Sequence, residues 1–129
     1  MNFPEDLKYT RDHEWCRVKG NRAIVGITEY AQDQLGDIVY VELPDLGDQV
    51  KKGEAFGVVE STKAVSEIFS PVTGKVVEVN DPLADSPETI NEDPYEEGWM
   101  IQVEMASPKE VQELLDSAGY AKFVAEEQE

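Results

Sequence analysis

Along most of the chain up to Met105, apolar and polar positions alternate with a period of two, a pattern that predicts a protein built mainly from short strands. Residues 14–18 and 22–28 are β-type runs joined by Lys19-Gly20-Asn21, a hairpin-sized turn. A brief helix follows. Thr28 is placed to cap residues 29–35, and Gly36 stands where a left-handed residue ends a helix. Ile38-Val39-Tyr40-Val41-Glu42-Leu43 is strongly β-branched, and Pro44-Asp45-Leu46-Gly47 then breaks it with turn chemistry. Residues 49–52 read as a short connector. Gly53 leads into Phe56-Gly57-Val58-Val59-Glu60, and the chain returns through Ser66-Glu67-Ile68-Phe69, turns at Ser70-Pro71 and continues as Gly74-Lys75-Val76-Val77-Glu78-Val79.

Residues 80–98 make the longest irregular stretch, rich in Asp, Glu, Pro and Ser, with room for a short helical turn after Ser86-Pro87. Trp99, Ile101, Val103 and Met105 then alternate with Met100, Gln102 and Glu104, the pattern of a half-buried strand. Ser107-Pro108 offers an N-cap and a first-turn proline for a helix through Asp116, and a second helical piece spans residues 117–127. Residues 50–54 and 71–75 each lead into a strand, a weak internal duplication rather than a repeat array.

Between the two central β-branched runs lies Glu60-Ser61-Thr62-Lys63-Ala64-Val65-Ser66, a polar tip flanked almost evenly by Gly53 and Gly74, which would punctuate the hairpin's outer turns. By composition alone Lys63 is an ordinary solvated turn lysine. Its placement is nevertheless that of a handle: a compact charge on a flexible stem that a modifying enzyme can reach and convert to an amide.

Charge narrows the function. With 28 acidic against 11 basic residues and a net charge of −17, the chain repels phosphate backbones and anionic lipid surfaces. Neither nucleic acid nor membrane is expected as a partner. The same acidity favours a soluble monomer that leaves each partner again. The length, 129 residues, suits one domain that buries roughly two-thirds of its unfolded surface. Cys16 is the only cysteine, so an internal disulfide and a cysteine-based metal cluster are both excluded and a reducing compartment fits. No segment approaches the roughly eighteen apolar residues of a spanning helix, and the N-terminus has neither a signal-peptide core nor transit-peptide character. A bacterial-type cytoplasmic protein is expected, or a mature form in the mitochondrial matrix.

Catalytic constellations are missing from the sequence: there is no HExxH, Walker loop, GxGxxG or GxSxG. His13 is the only histidine, which leaves at most one imidazole and reads as a structural or surface residue. Cys16 reads as a small packing residue, and Tyr95 and Trp99 as loop-anchoring and core aromatics. Glu92, Asp93, Glu96 and Glu97 form a solvated loop face rather than a hard-cation site. No catalytic residue and no metal ligand is assigned.

Several stretches nevertheless occur together and in order: Tyr9-Thr10-Arg11-Asp12-His13-Glu14-Trp15, Gly26-Ile27-Thr28-Glu29-Tyr30-Ala31-Gln32, residues 35–44, Val59-Glu60-Ser61-Thr62-Lys63-Ala64, and Asn91-Glu92-Asp93-Pro94-Tyr95-Glu96-Glu97-Gly98-Trp99. Through them the chain resembles the H protein of the glycine cleavage system, a lipoyl-carrier family, from Leu7 to about Val124. The family's usual Glu-Ser-Val-Lys-Ala reads Glu-Ser-Thr-Lys-Ala here, a β-branched exchange of similar shape.

The resemblance implies a fold that is mainly β: a lipoyl-domain-like flattened antiparallel β-barrel or sandwich, a barrel-sandwich hybrid, with short helices and a C-terminal helical segment. It implies a single lipoyl-carrier domain over residues 1–129, with a core over about 7–105 and a helical extension over about 107–127. Lipoate would be attached covalently to Lys63, with Glu60, Ser61, Thr62 and Ala64 as the recognition turn. Glu14, Glu67 and Asp12 would line the cleft for the loaded arm, where a carboxylate can pair with a cationic cargo. His13 lies beside that cleft without an assigned role.

The implied partners are glycine decarboxylase (P protein), which would load an aminomethyl group, aminomethyltransferase (T protein), which would take it, and dihydrolipoamide dehydrogenase (L protein), which would receive the electrons. A lipoate-attaching enzyme completes the set. The chain would then be a non-catalytic carrier whose cofactor supplies the chemistry. An alternative carrier role is that of lipoyl donor in lipoate relay to other lipoyl-dependent enzymes. A biotin carrier fits less well, since biotin acceptor lysines are flanked by methionines and Lys63 is flanked by Thr62 and Ala64.

Overall fold

In the computed structural model, which describes residues 1–127, two antiparallel sheets enclose the core. The strands are β1 (Lys8–Tyr9), β2 (Glu14–Lys19), β3 (Arg22–Ile27), β4 (Ile38–Glu42), β5 (Gln49–Val50), β6 (Ala55–Ser61), β7 (Val65–Phe69), β8 (Gly74–Val79) and β9 (Ile101–Met105). Six of them form one sheet in the order β1-β2-β3-β9-β8-β5, and β4-β6-β7 form the other. Neither sheet closes on itself, so the flattened sandwich is realised and the closed barrel is not. Helices α1 (Glu29–Leu35), α2 (Thr89–Glu92) and α3 (Ser117–Glu127) lie in the connections and at the C-terminal end. None is long and apolar enough to cross a membrane.

The alternating pattern places Cys16, Ala23, Val25 and Ile27 from one sheet against Val41, Val59 and Ile68 from the other, and Val76, Ile101 and Val103 complete the same cluster. Cys16 is the small packing residue expected, and burial pushes its thiol up to about 12. A second cluster covers the opposite side of the β1–β2 edge. There Leu7, Tyr9 and Trp15 pack with Tyr95, Tyr120 and Val124, with the Tyr9 and Tyr120 rings stacked at 4.6 Å and the Trp15 indole donating to the Pro94 carbonyl at 2.9 Å. Gly26 is required beneath that indole, because a Cβ there would stand 2.8 Å from its ring atoms.

Four local expectations are corrected. Residues 49–52 are not merely a connector: Gln49 and Val50 form β5 and pair with Lys75 and Gly74 of β8. Gly74 does not mark a turn. It opens β8, where any Cβ would collide with the Glu104 carbonyl oxygen, whereas Gly53 does adopt a left-handed φ of 84°. Met100 is fully buried rather than on the polar side, since β9 begins one residue later and the Met100 amide donates to the Val25 carbonyl at 2.8 Å.

The fourth concerns the segment after Ser107. Instead of a helix through Asp116 it forms a 3₁₀ turn over Pro108–Glu113, without a side-chain cap from Ser107. The cause lies further on. Leu115 exchanges two 2.8 Å backbone bonds with Tyr9, and a residue held in a β-bridge cannot continue a helix. The irregular stretch is better ordered than its composition suggests: a 3₁₀ turn at Asp81–Ala84 and helix α2 bury Leu83 and Ile90, and the Asn80 side-chain amide donates to the Glu97 and Trp99 carbonyls.

Helix α3 is held by one residue above all. Tyr120 is fully buried, and its hydroxyl lies 2.7 Å from Thr28 Oγ1 and 2.8 Å from His13 Nδ1. Tyr120→Phe keeps the ring stack and removes both hydrogen bonds, so it is expected to cost about 1–2 kcal/mol in urea unfolding. Amide exchange should accelerate first in α3, the element that the hydroxyl ties down.

Candidate functional site

The β6–β7 register sets Glu60 opposite Val65 and leaves residues 61–64 as the tip. Ser61 organises it. Its amide donates to the Ala64 carbonyl at 2.8 Å, while its hydroxyl accepts from the amides of Ala64 at 3.0 Å and Lys63 at 3.3 Å. This is the local side-chain-to-backbone bonding by which serine fixes turns. Thr62 reaches across instead, its amide donating to the Asp37 carbonyl at 3.1 Å. Thr62, Lys63 and Ala64 are all exposed, and the Lys63 ammonium has no ion-pair or hydrogen-bond partner among the described residues.

The lysine stem lies over the end of α1, with Cε 3.5 Å from where a Cβ on Gly36 would be. Gly36 has φ 81°, the conformation that favours glycine at this end of the helix, and the lysine stem makes an ordinary van der Waals contact there. At the other end of α1, Tyr30 packs against His13 with ring centroids 4.8 Å apart. A helix of seven residues rises about 10 Å between those ends.

Along it runs a groove of about 260 Å³, walled by Ile27, Tyr30, Leu35 and Ile68 and bounded by Asp12, His13 and Glu127. His13 itself sits at φ 74°, left-handed, closing the β1–β2 turn. Its Nε2 is 3.0 Å from a Glu127 carboxylate oxygen. Burial lowers the imidazole pKa against the opposing pull of Glu127, which keeps the ring neutral at neutral pH.

Glu14 stands apart from this groove. It lines an adjoining cavity of about 310 Å³ with Thr10, Arg11, Phe69 and Leu115, and Asp12 is common to both. The Glu14 side chain is buried, accepting a 2.6 Å bond from the Thr10 hydroxyl and a 3.3 Å bond from the Phe69 amide. Burial raises its pKa to about 7, past those two hydrogen bonds that favour the charge, and the neighbouring Asp12 adds to the rise. Glu67 is exposed, on the opposite side of β7 from Ser66 and Ile68, and lines neither cavity.

The structure therefore gathers Lys63, Asp12 and His13 around α1, sets Glu14 next door and leaves Glu67 outside. It also adds Tyr30, Leu35 and Glu127, which carried no sequence signal beyond helix periodicity. On the outer face of the small sheet Tyr40, Glu60 and Val65 share a row. A bulge at Val39 turns both it and Tyr40 outward, so that Val39, Tyr40 and Val65 are exposed beside the lysine.

A small β-sandwich that presents one free lysine on a hairpin tip, beside an apolar trough, has the architecture of a carrier component. Residues 7–127 match the family model described as Glycine cleavage H-protein. The chain is 70% identical over 128 residues to the glycine cleavage system H protein of Anaeromyxobacter sp. (strain K), covering 99% of this chain and 100% of that one. It is 59% identical over 123 residues to that of Myxococcus xanthus, covering 95% of each. A crystal structure of a glycine cleavage system H protein from Mycobacterium marinum shares the fold with a TM-score of 0.88 at 43% identity, covering 95% of this chain and 99% of that one. The chain belongs to the glycine cleavage H-protein family, lipoyl carriers of the glycine cleavage system rather than catalysts.

The buried Glu14 makes a pH prediction with a definite sign. Its folded pKa of about 7 lies above its ordinary value of 4.5, so between those values the native state binds more protons than the unfolded state and loses stability as pH rises. The loss attributable to this group is about 3 kcal/mol from pH 4 to pH 8. Glu14→Gln, which mimics the protonated acid, should lack that component. Urea midpoints of the two proteins should diverge as pH rises, with the variant the more stable at pH 8.

Proposed function

We propose that Lys63 is the residue that receives lipoate, as an amide on Nζ, and that the chain carries the resulting arm between the enzymes of glycine cleavage. The observation that carries this reading is the free ammonium of Lys63, held on a Ser61-organised turn with its stem against Gly36, next to Leu35 in the wall of an apolar groove. Both halves of the arrangement suit the group. An unpaired amine on a firm tip can be acylated, and a trough walled by Ile27, Tyr30, Leu35 and Ile68 suits an aliphatic chain with a sulfur-containing ring.

When attached, lipoate supplies a dithiolane that takes up the aminomethyl group of glycine and later returns electrons on reoxidation. The protein supplies position. Tethering at Lys63 raises the local concentration of the reactive sulfur at each docked partner without a permanent complex. Glycine decarboxylase, aminomethyltransferase and dihydrolipoamide dehydrogenase would use the arm in turn, after a lipoate-attaching enzyme has read Glu60, Ser61, Thr62 and Ala64 around the lysine.

Between visits the groove along α1 shields the arm from water. Its Asp12 boundary would meet a cationic cargo first, with Glu14 beyond in the adjoining cavity. Glu67, outside both, has no part in this reading.

Lys63→Arg keeps the charge and removes the acylable amine. Co-expressed with a lipoate-attaching enzyme and lipoate, the parent chain should gain one lipoyl-sized mass increment that maps to Lys63. The variant should gain none and unfold at the same urea concentration. An increment on any other lysine would defeat the assignment.

A further inference from the structure

One side chain far from Lys63 in sequence directs all three of its hydrogen bonds to the shelf beneath it. Asn91, in α2, accepts from the Ile38 amide at 2.9 Å and donates to the Gly36 carbonyl at 2.9 Å and to Gln32 Oε1 at 3.0 Å. Gly36 and Ile38 flank Asp37. The Asp37 carbonyl is in turn the acceptor for the Thr62 amide, and Gly36 is the surface on which the Lys63 stem rests. The path from Asn91 to the lysine therefore has only two links: the clamped Gly36–Ile38 segment, and the 3.1 Å bond from Thr62 to Asp37.

We propose that Asn91 is a positioning residue for the modification of Lys63: by fixing the α1–β4 link it holds the turn in the conformation that the lipoate-attaching enzyme accepts. The inference rests on Lys63 being the acceptor. A hairpin tip has few tertiary contacts of its own; Ser61 fixes its internal shape and also pairs with Ile38 in the β4–β6 ladder. Its orientation against the sheet comes from that pairing and from the Thr62 bond to Asp37, and both rest on the segment that Asn91 clamps at Gly36 and Ile38. Loss of the clamp lets the tip sample other orientations. The attaching enzyme then meets the competent form less often, so its apparent affinity falls by that fraction while the chemical step is untouched.

The test uses the full unmodified chain with a lipoate-attaching ligase, lipoate and ATP. Asn91→Ala removes all three bonds. Asn91→Asp keeps the size and the acceptor for Ile38 but loses both donors, and serves if the alanine variant does not fold. In each, KM for the protein substrate should rise roughly tenfold with kcat unchanged, which requires the competent turn to fall to about a tenth of the population, so the Thr62 amide should lose most of its exchange protection while that of Val25 in the core keeps its own.

A KM within about twofold of the parent's overturns the positioning role, whatever the exchange shows. A raised KM with Thr62 exchange unchanged overturns the route through Asp37, and a fall in kcat overturns the account by competent fraction. A parent chain that takes no lipoyl group at Lys63 sinks the functional reading instead. The exchange comparison then still decides whether Asn91 holds the turn.

Discussion

A helix of seven residues cannot hold itself together in water, since nucleation costs more than so few internal hydrogen bonds return. Helix α1 is therefore fixed from outside at both ends, and the site depends on that fixing. At its start the Thr28 hydroxyl accepts from the Ala31 amide, and the Glu29 amide donates to the Tyr95 hydroxyl. At its end Asn91 holds the Gly36 carbonyl and Gln32. Thr28 directly precedes the helix, whereas Tyr95 and Asn91 both reach it from the 80–98 stretch. The groove along α1 thus has a length set by the helix and walls set by the two sheets.

The same arrangement puts two carboxylates in different environments. Asp12 is exposed at the boundary shared by the two cavities, where an opposite charge would be held only loosely. Glu14 is buried behind the Thr10 and Phe69 bonds, so half of it is protonated near neutrality and its ionisation costs folding energy. A carrier benefits from this division. A fully ionised buried carboxylate would bind a cation too firmly to release it, and an exposed one alone would not shield it.

Sequence patterning was most reliable where a local rule decides the outcome. Thr28 and Gly36 bracket α1 as cap and stop, and the β-branched runs fall in β4, β6 and β8. It failed where a partner distant in the chain decides. The two-residue strands β1 and β5 have no periodicity to detect, and Leu115 leaves the helical pattern only because Tyr9 pairs with it. The turn that carries Lys63 was legible as a polar tip between apolar runs. Its bed was not: Tyr30, Leu35 and Glu127 converge through the packing of α1 and α3, and Asn91 lies in a stretch whose composition reads as loop.

The role of His13 follows from proton counting. A neutral imidazole offers one donor and one acceptor. The Glu127 carboxylate only accepts, so Nε2 carries the proton and Nδ1 accepts from the Tyr120 hydroxyl. The Tyr120 oxygen is then free to accept from Thr28, whose own oxygen still accepts from the Ala31 amide and caps α1. Burial raises the Tyr120 pKa, so that hydroxyl keeps the proton it must donate. Every group in the chain from Ala31 to Glu127 is satisfied in this one direction. The cap that starts α1 and the carboxylate that bounds its groove are consequently parts of one hydrogen-bonded line, joined at His13.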